Sequence, residues 1–97
     1  MPVMMMMEWS GVTPEQYEAV RKFVNFEAEA PAGGLFHVAA FDEAGLRVTD
    51  VWERAEDFQT FVEQRLMPGV AKAGIQGEPK VRILPAHNVY APGYGPR

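Results

Sequence analysis

The chain has 97 residues, 47% of them hydrophobic, with thirteen Asp plus Glu against nine Lys plus Arg, no cysteine and a formal net charge of -4. This length holds one compact domain and leaves no room for a separate cofactor-binding module. The acidic balance lacks the basic stripe with which nucleic-acid binders neutralise phosphates, so DNA and RNA are excluded as expected partners. A core this small buries only about 60–70% of the chain's surface, and without disulfides a second copy becomes a natural source of stability.

Val3-Met4-Met5-Met6-Met7-Glu8-Trp9 is an apolar run too short for a helix and closed by Ser10-Gly11, which predicts a first strand covered on both faces. The run has no basic region or cleavage site, and Glu8 ends it far short of the roughly 20 apolar residues of a membrane span. Neither a signal peptide nor a span is expected, and the expected location is the cytoplasm. Thr13-Pro14-Glu15-Gln16 then offers an N-cap, a proline at the first helical position and a capping-box Gln. Tyr17, Val20 and Val24 form the apolar stripe of a helix over residues 14–26. Residues 27–34, with Pro31, Gly33 and Gly34, read as a loop.

Strands over 35–41 and 46–52 flank Asp42-Glu43-Ala44-Gly45 as a hairpin. From Arg54, the spacing of Phe58, Phe61, Val62 and Leu66 returns to helical, with Pro68 interrupting or restarting the helix before Gly74 stops it. Gly77-Glu78-Pro79 is a turn before a last strand over 80–85. Residues 1–90 are thus a single domain, and residues 91–97 a Pro/Gly-rich tail, a loose end or an arm across a partner anchored by Tyr90 and Tyr94.

The order β-α-β-β-α-β predicts an α+β, ferredoxin-like antiparallel sheet of four strands in spatial order 4-1-3-2, with helices on one face. The first and third strands are expected to be central and parallel, gathering Glu8, Trp9, Trp52 and Glu53 at one end, with His87 at the other. The first strand is apolar on both sides while helices cover only one, so a facing sheet from another copy should cover the second.

The stretch Asp50-Val51-Trp52-Glu53-Arg54-Ala55-Glu56-Asp57-Phe58-Gln59-Thr60-Phe61 resembles the strand-to-helix "V-W-x-S/D-x-x-A-F-x-x-F" signature of the dimeric α/β-barrel superfamily. Within it the chain looks most like small proteins of the antibiotic-biosynthesis-monooxygenase type. The resemblance implies a homodimer in which two ferredoxin-like sheets pack into a barrel. It also implies a cleft that, in polyketide oxygenases, deprotonates an acidic phenol or enol and lets the carbanion meet oxygen with no metal or flavin. Haem-degrading members carry an Asn on the first strand and a His on the second helix. Here the first strand has Met4 to Met7, residues 54–73 hold no His, and only Trp52 matches, which speaks against haem degradation.

Among residues able to carry chemistry, His37 is the candidate base, because imidazole titrates near neutrality. Its partner depends on the hairpin register. A loop of Asp42 to Gly45 pairs Phe41 with Leu46 and sets His37 opposite Asp50, a His-Asp dyad. A loop of Glu43 to Gly45 pairs Asp42 with Leu46 and turns His37 to the other face. The second register separates polar from apolar positions somewhat better, leaving His37 as a structural histidine.

Trp52 is the expected pocket wall, the place where the resemblance sets a ligand-facing Trp. Glu53 and Glu8 are candidate rim charges, and Met5 and Met7 a candidate adaptable lining or simply core. His87 lacks a cysteine or carboxylate cluster beside it, so no metal site is expected, and without a P-loop or dinucleotide motif no cofactor is expected either. Two functions follow: a cofactor-independent monooxygenase-like enzyme for a small aromatic or enolic molecule, or a non-catalytic dimer that binds a small molecule or serves as a stress-responsive accessory.

Overall fold

In the computed structural model, which describes residues 1–93, β1 (Val3–Ser10), α1 (Pro14–Val24), β2 (Gly34–Phe41), β3 (Gly45–Trp52), α2 (Ala55–Phe61), α3 (Met67–Ala73) and β4 (Lys80–Pro85) follow in order. The capping box forms as the residue types require: Thr13 Oγ1 accepts from Gln16 N at 3.1 Å, and Gln16 Oε1 accepts from Thr13 N at 3.0 Å. The helix stops at Val24 because Asn25 takes a left-handed conformation, φ 56°. That early stop frees Phe26 to turn toward the sheet.

The second helical segment does not break at Pro68. A π-helical turn over Val62–Leu66 joins α2 to α3. Pro68 has no N–H to give the Gln64 carbonyl and its ring would crowd that carbonyl, so the chain absorbs the proline by widening the turn before it.

The sheet order is β2-β3-β1-β4, the expected 4-1-3-2 read from the other edge, and every neighbouring pair is antiparallel. This corrects the expectation that β1 and β3 run parallel. The α1 crossover returns β2 in the direction of β1, and the hairpin then reverses β3. The ends of the sheet are re-sorted accordingly. Val3 lies opposite Trp52 and Pro85, whereas Glu8 lies opposite Arg47 and Trp9 opposite Leu46. Glu8 and Trp9 are therefore at the end away from Trp52 and Glu53, and His87, just past β4, is at the Trp52 end.

The hairpin adopts the register with Phe41 opposite Leu46 and His37 opposite Asp50. Its cause is local. Asp42 Oδ1 accepts from the backbone N–H groups of Ala44 and Gly45 at 2.9 and 3.1 Å, and Asp42 N donates to Gly45 O at 2.9 Å. A side chain folded back onto the turn makes Asp42 a loop residue, which removes it from pairing with Leu46. Gly45 completes the turn at φ 147°, where a Cβ would fall 2.5 Å from the Trp9 carbonyl oxygen.

Alternation then assigns the faces. Met5, Met7, Trp9, Leu46, Val48, Asp50 and Trp52 are buried beneath Val20 and Val24 of α1, Phe58 of α2 and Val70 of α3. Met4, Met6, Val38, Val51 and Leu84 share the face without helices, where Val38 is 46% exposed. Among the described residues no helix is long and apolar enough to cross a membrane. Tyr90 is 83% exposed, and Tyr94 lies outside the described residues.

Helix α3 meets α1 at buried Gly69, where a Cβ would stand 3.1 Å from Phe23 Cδ1 and 3.3 Å from Val24 Cγ2. Gly69→Val should lower stability by about 1–3 kcal/mol through overpacking, read as a lower urea midpoint with an unchanged slope.

Candidate active site

Between the helices and the inner face of the sheet lies a cavity of about 270 Å³, lined almost wholly by apolar side chains from the core, with Tyr17, Arg21, His37 and Asp50 as its polar members. Met5, Met7 and Trp52 are part of the wall and of the buried core alike. Glu53 is exposed and takes no part in the lining; its backbone N–H donates to Gly33 O at 2.8 Å, tying β3 to the loop before β2. Glu8 is engaged at the other end of the sheet with Arg47, at 2.5 Å.

Asp50 is the one buried charged residue among those described. Trp52 Nε1–H donates to its Oδ2 at 3.1 Å, and His37 Nδ1 faces its Oδ1 at 2.6 Å. The indole N–H can only donate, so it fixes one carboxylate oxygen as an acceptor and leaves the other for the imidazole. With Asp50 as a carboxylate, His37 donates from Nδ1 and keeps a lone pair on Nε2. The Tyr17 hydroxyl meets that nitrogen at 2.7 Å. No buried side-chain nitrogen or oxygen among the described residues lacks a partner.

The aromatic surroundings hold this line of groups in place. Phe26 meets the His37 ring edge-on at a centroid distance of 5.1 Å, and Phe41 meets Tyr17 in the same manner at 6.1 Å. The Tyr17 and His37 planes are parallel within 2° at 6.2 Å, so hydroxyl and imidazole meet edge to edge. Trp52 is wedged against Phe58 and Phe61 at 5.6 and 5.4 Å. At the rim, Arg21 donates to Glu27 and Glu18, and its guanidinium holds the Glu27 carboxyl below the usual carboxylate range. Burial raises the Tyr17 phenol above its ordinary value; Arg21 opposes this, while Glu27, Glu18 and Asp50 reinforce it.

β2 carries an irregularity between Gly34 and Phe36, opposite Trp52 and Val51, which leaves Leu35 as an extra residue beside the cavity. Tyr17 and Phe26 are the members that sequence reasoning missed as site residues. Tyr17 stood in the apolar stripe of α1, and a tyrosine there carries a hydroxyl that must find a partner. Phe26 was assigned to the helix that Asn25 ends. Among the described residues no cluster of His, Asp and Glu could hold a metal ion.

Asp50→Ala would leave the buried Trp52 N–H without an acceptor, which should cost about 1–3 kcal/mol. Urea unfolding of this variant followed by tryptophan fluorescence measures it, and an unchanged midpoint would contradict the assignment.

No family model matches the chain, and no curated protein matches it in sequence. Solved structures do. SnoaB, a cofactor-independent oxygenase from Streptomyces nogalater, superposes with a TM-score of 0.62 at 14% identity, over 91% of this chain and 94% of its own. A monooxygenase of Streptomyces coelicolor, solved with the ligand nanaomycin D, gives 0.59 at 16% identity over 95% and 92%. A dimeric ferredoxin-like protein of unknown function from Thermobifida fusca gives 0.59 at 13% identity over 89% and 92%. At such identities the likeness is one of fold: the chain has the ferredoxin-like fold of antibiotic-biosynthesis-monooxygenase-like proteins.

Proposed function

We propose that the protein is a small oxygenase that removes a proton from a phenol or enol in the apolar cavity and lets the resulting carbanion react directly with oxygen. His37 is the proton acceptor, Asp50 orients its ring and offsets the imidazolium charge, and Trp52, Met5 and Met7 wall the substrate. One observation carries this reading: a buried carboxylate, clamped by an indole N–H, is bonded at 2.6 Å to an imidazole that lines the same apolar cavity. The fold likeness to a cofactor-independent oxygenase supports the choice of chemistry.

The apolar lining contributes in two ways. It favours the neutral, protonated substrate on entry, and once the proton has moved it leaves the anion and the imidazolium attracting each other in a medium of low dielectric. The cavity volume falls just below the about 300–1,000 Å³ of drug-sized pockets, which suits a molecule of one or two rings. For 1-naphthol the balance is complete. The O–H proton moves to the base, the anion forms a C–O bond to oxygen at its para carbon, and the protonated peroxide loses water with the remaining C–H hydrogen. One naphthol and one oxygen molecule give one 1,4-naphthoquinone and one water.

The protein is further proposed to act as a homodimer. Met4, Met6, Val38, Val51 and Leu84 lie on the sheet face without helices, with Thr49 and Arg82 flanking Met6, and a second sheet is the complementary surface for this largely apolar face.

Oxygen uptake with 1-naphthol should fall by about 10²–10⁴-fold in His37→Ala, while the naphthol still quenches Trp52 fluorescence on binding. Binding without uptake in the unaltered protein would favour the non-catalytic carrier instead. Sedimentation equilibrium should show a dimer that Met6→Glu splits; a stable monomer of the unaltered chain at micromolar concentration would contradict the two-sheet assembly.

A further inference from the structure

The imidazole that serves as base in the proposed function has neither nitrogen free. Nδ1 is taken by Asp50 Oδ1 at 2.6 Å and Nε2 by the Tyr17 hydroxyl at 2.7 Å. The direction of these bonds follows for Asp50 as a carboxylate and His37 as a neutral imidazole. Asp50 then accepts on both oxygens, from Trp52 Nε1–H and from His37 Nδ1–H, and Tyr17 donates its O–H to the Nε2 lone pair. Tyr17 lines the cavity, and the lone pairs of its oxygen are not consumed by donating. A substrate hydroxyl in the cavity therefore has Tyr17, not His37, as its acceptor.

On that reading of His37 as the base, we infer that Tyr17 is the residue that touches the substrate, a relay whose oxygen takes the substrate's proton as its own proton passes to His37 Nε2. The substrate O–H bond breaks as a new Tyr17 O–H bond forms, and the former Tyr17 O–H bond breaks as an Nε2–H bond forms. The substrate is left as its anion, Tyr17 is again neutral, and the imidazolium stands against Asp50. No oxidant is needed for this step, because only protons move.

Three features suit Tyr17 to the task. Its placement is rigid, one turn into a helix closed by the Thr13 capping box, with Phe41 against its ring. Its hydroxyl stands 2.7 Å from His37 Nε2, with the two ring planes parallel within 2°. Burial raises its pKa, so the phenol keeps its proton at rest. The ligand class follows: a neutral hydroxyl acid, a phenol or enol, which can donate to the Tyr17 oxygen.

The probe is 4-nitrophenol, whose ionised form is yellow, bound to the full chain at a pH where most of it is neutral in solution. The unaltered protein should hold it as the coloured phenolate. Tyr17→Phe keeps the ring packing and should bind it more weakly and leave it colourless at saturation, as should His37→Gln, and 1-naphthol turnover in Tyr17→Phe should drop about 10²-fold or more. A coloured probe and unchanged turnover in Tyr17→Phe would overturn the relay while leaving His37 as the base. Colour that survives in His37→Gln would remove the base itself, and an unaltered protein that does not take up the probe would remove both. A proton inventory needs no variant: the turnover of the unaltered protein in H2O–D2O mixtures should bow, as two protons in flight require, and a straight line would overturn the relay.

Discussion

The site depends on the hairpin register, and the register depends on one carboxylate that is not in the site. Asp42 folds onto the turn, accepting from Ala44 and Gly45 and, through its second oxygen, from Arg47 Nε at 2.7 Å. These bonds hold Asp42 out of the ladder and so set Phe41 against Leu46. Four residues further along each strand, the same register brings His37 opposite Asp50. Because strand side chains alternate strictly, there is no intermediate arrangement: a slip by one residue would send His37 to the open face and leave Asp50 buried with only the indole N–H.

That dependence explains why the fold was legible in the sequence and the site only half so. Capping residues, apolar periodicity and turn residues act over a few positions, so the four strands, the capping box at Thr13 and the ferredoxin-like order could be read directly. Polarity sorting between the two registers pointed the other way, since it assumes that inward positions are apolar, and His37 and Asp50 are inward and polar together. A functional site is where local patterning should fail, because there a buried polar group is kept for its chemistry and satisfied by another. The relative direction of β1 and β3 was a different matter. It follows from counting connections, and the parallel reading miscounted them, which moved Glu8 and Trp9 to the wrong end. Pro68 was readable as a disturbance, but not as a π-helical turn, since the chain could have absorbed it in several ways.

Placing Asp50 in the core carries a penalty that the surroundings must offset. An ionised carboxylate without partners in an apolar site is disfavoured by many kcal/mol, and here two directed bonds, from Trp52 and His37, hold it. Trp52 is the less obvious contributor. It is anchored between Phe58 and Phe61, so its N–H arrives from a fixed direction and determines which oxygen is left for His37. Trp52 lies on the cavity wall, and its hydrogen bond makes it equally a support for the pairing of His37 with Asp50.

The two faces of the sheet impose opposite demands on adjacent residues of one strand. His37 points to the cavity, while Val38, next in sequence, points to the face without helices. On β3, Asp50 and Val51 divide in the same way. Whatever sets the register therefore sets both surfaces at once: in the alternative register Val38 would enter the cavity and the imidazole would join Met6 and Met4 on the open face. The cavity lining and the open face are thus specified by a single structural decision, made at the Asp42 turn, and a chain that formed one surface correctly could not fail to form the other.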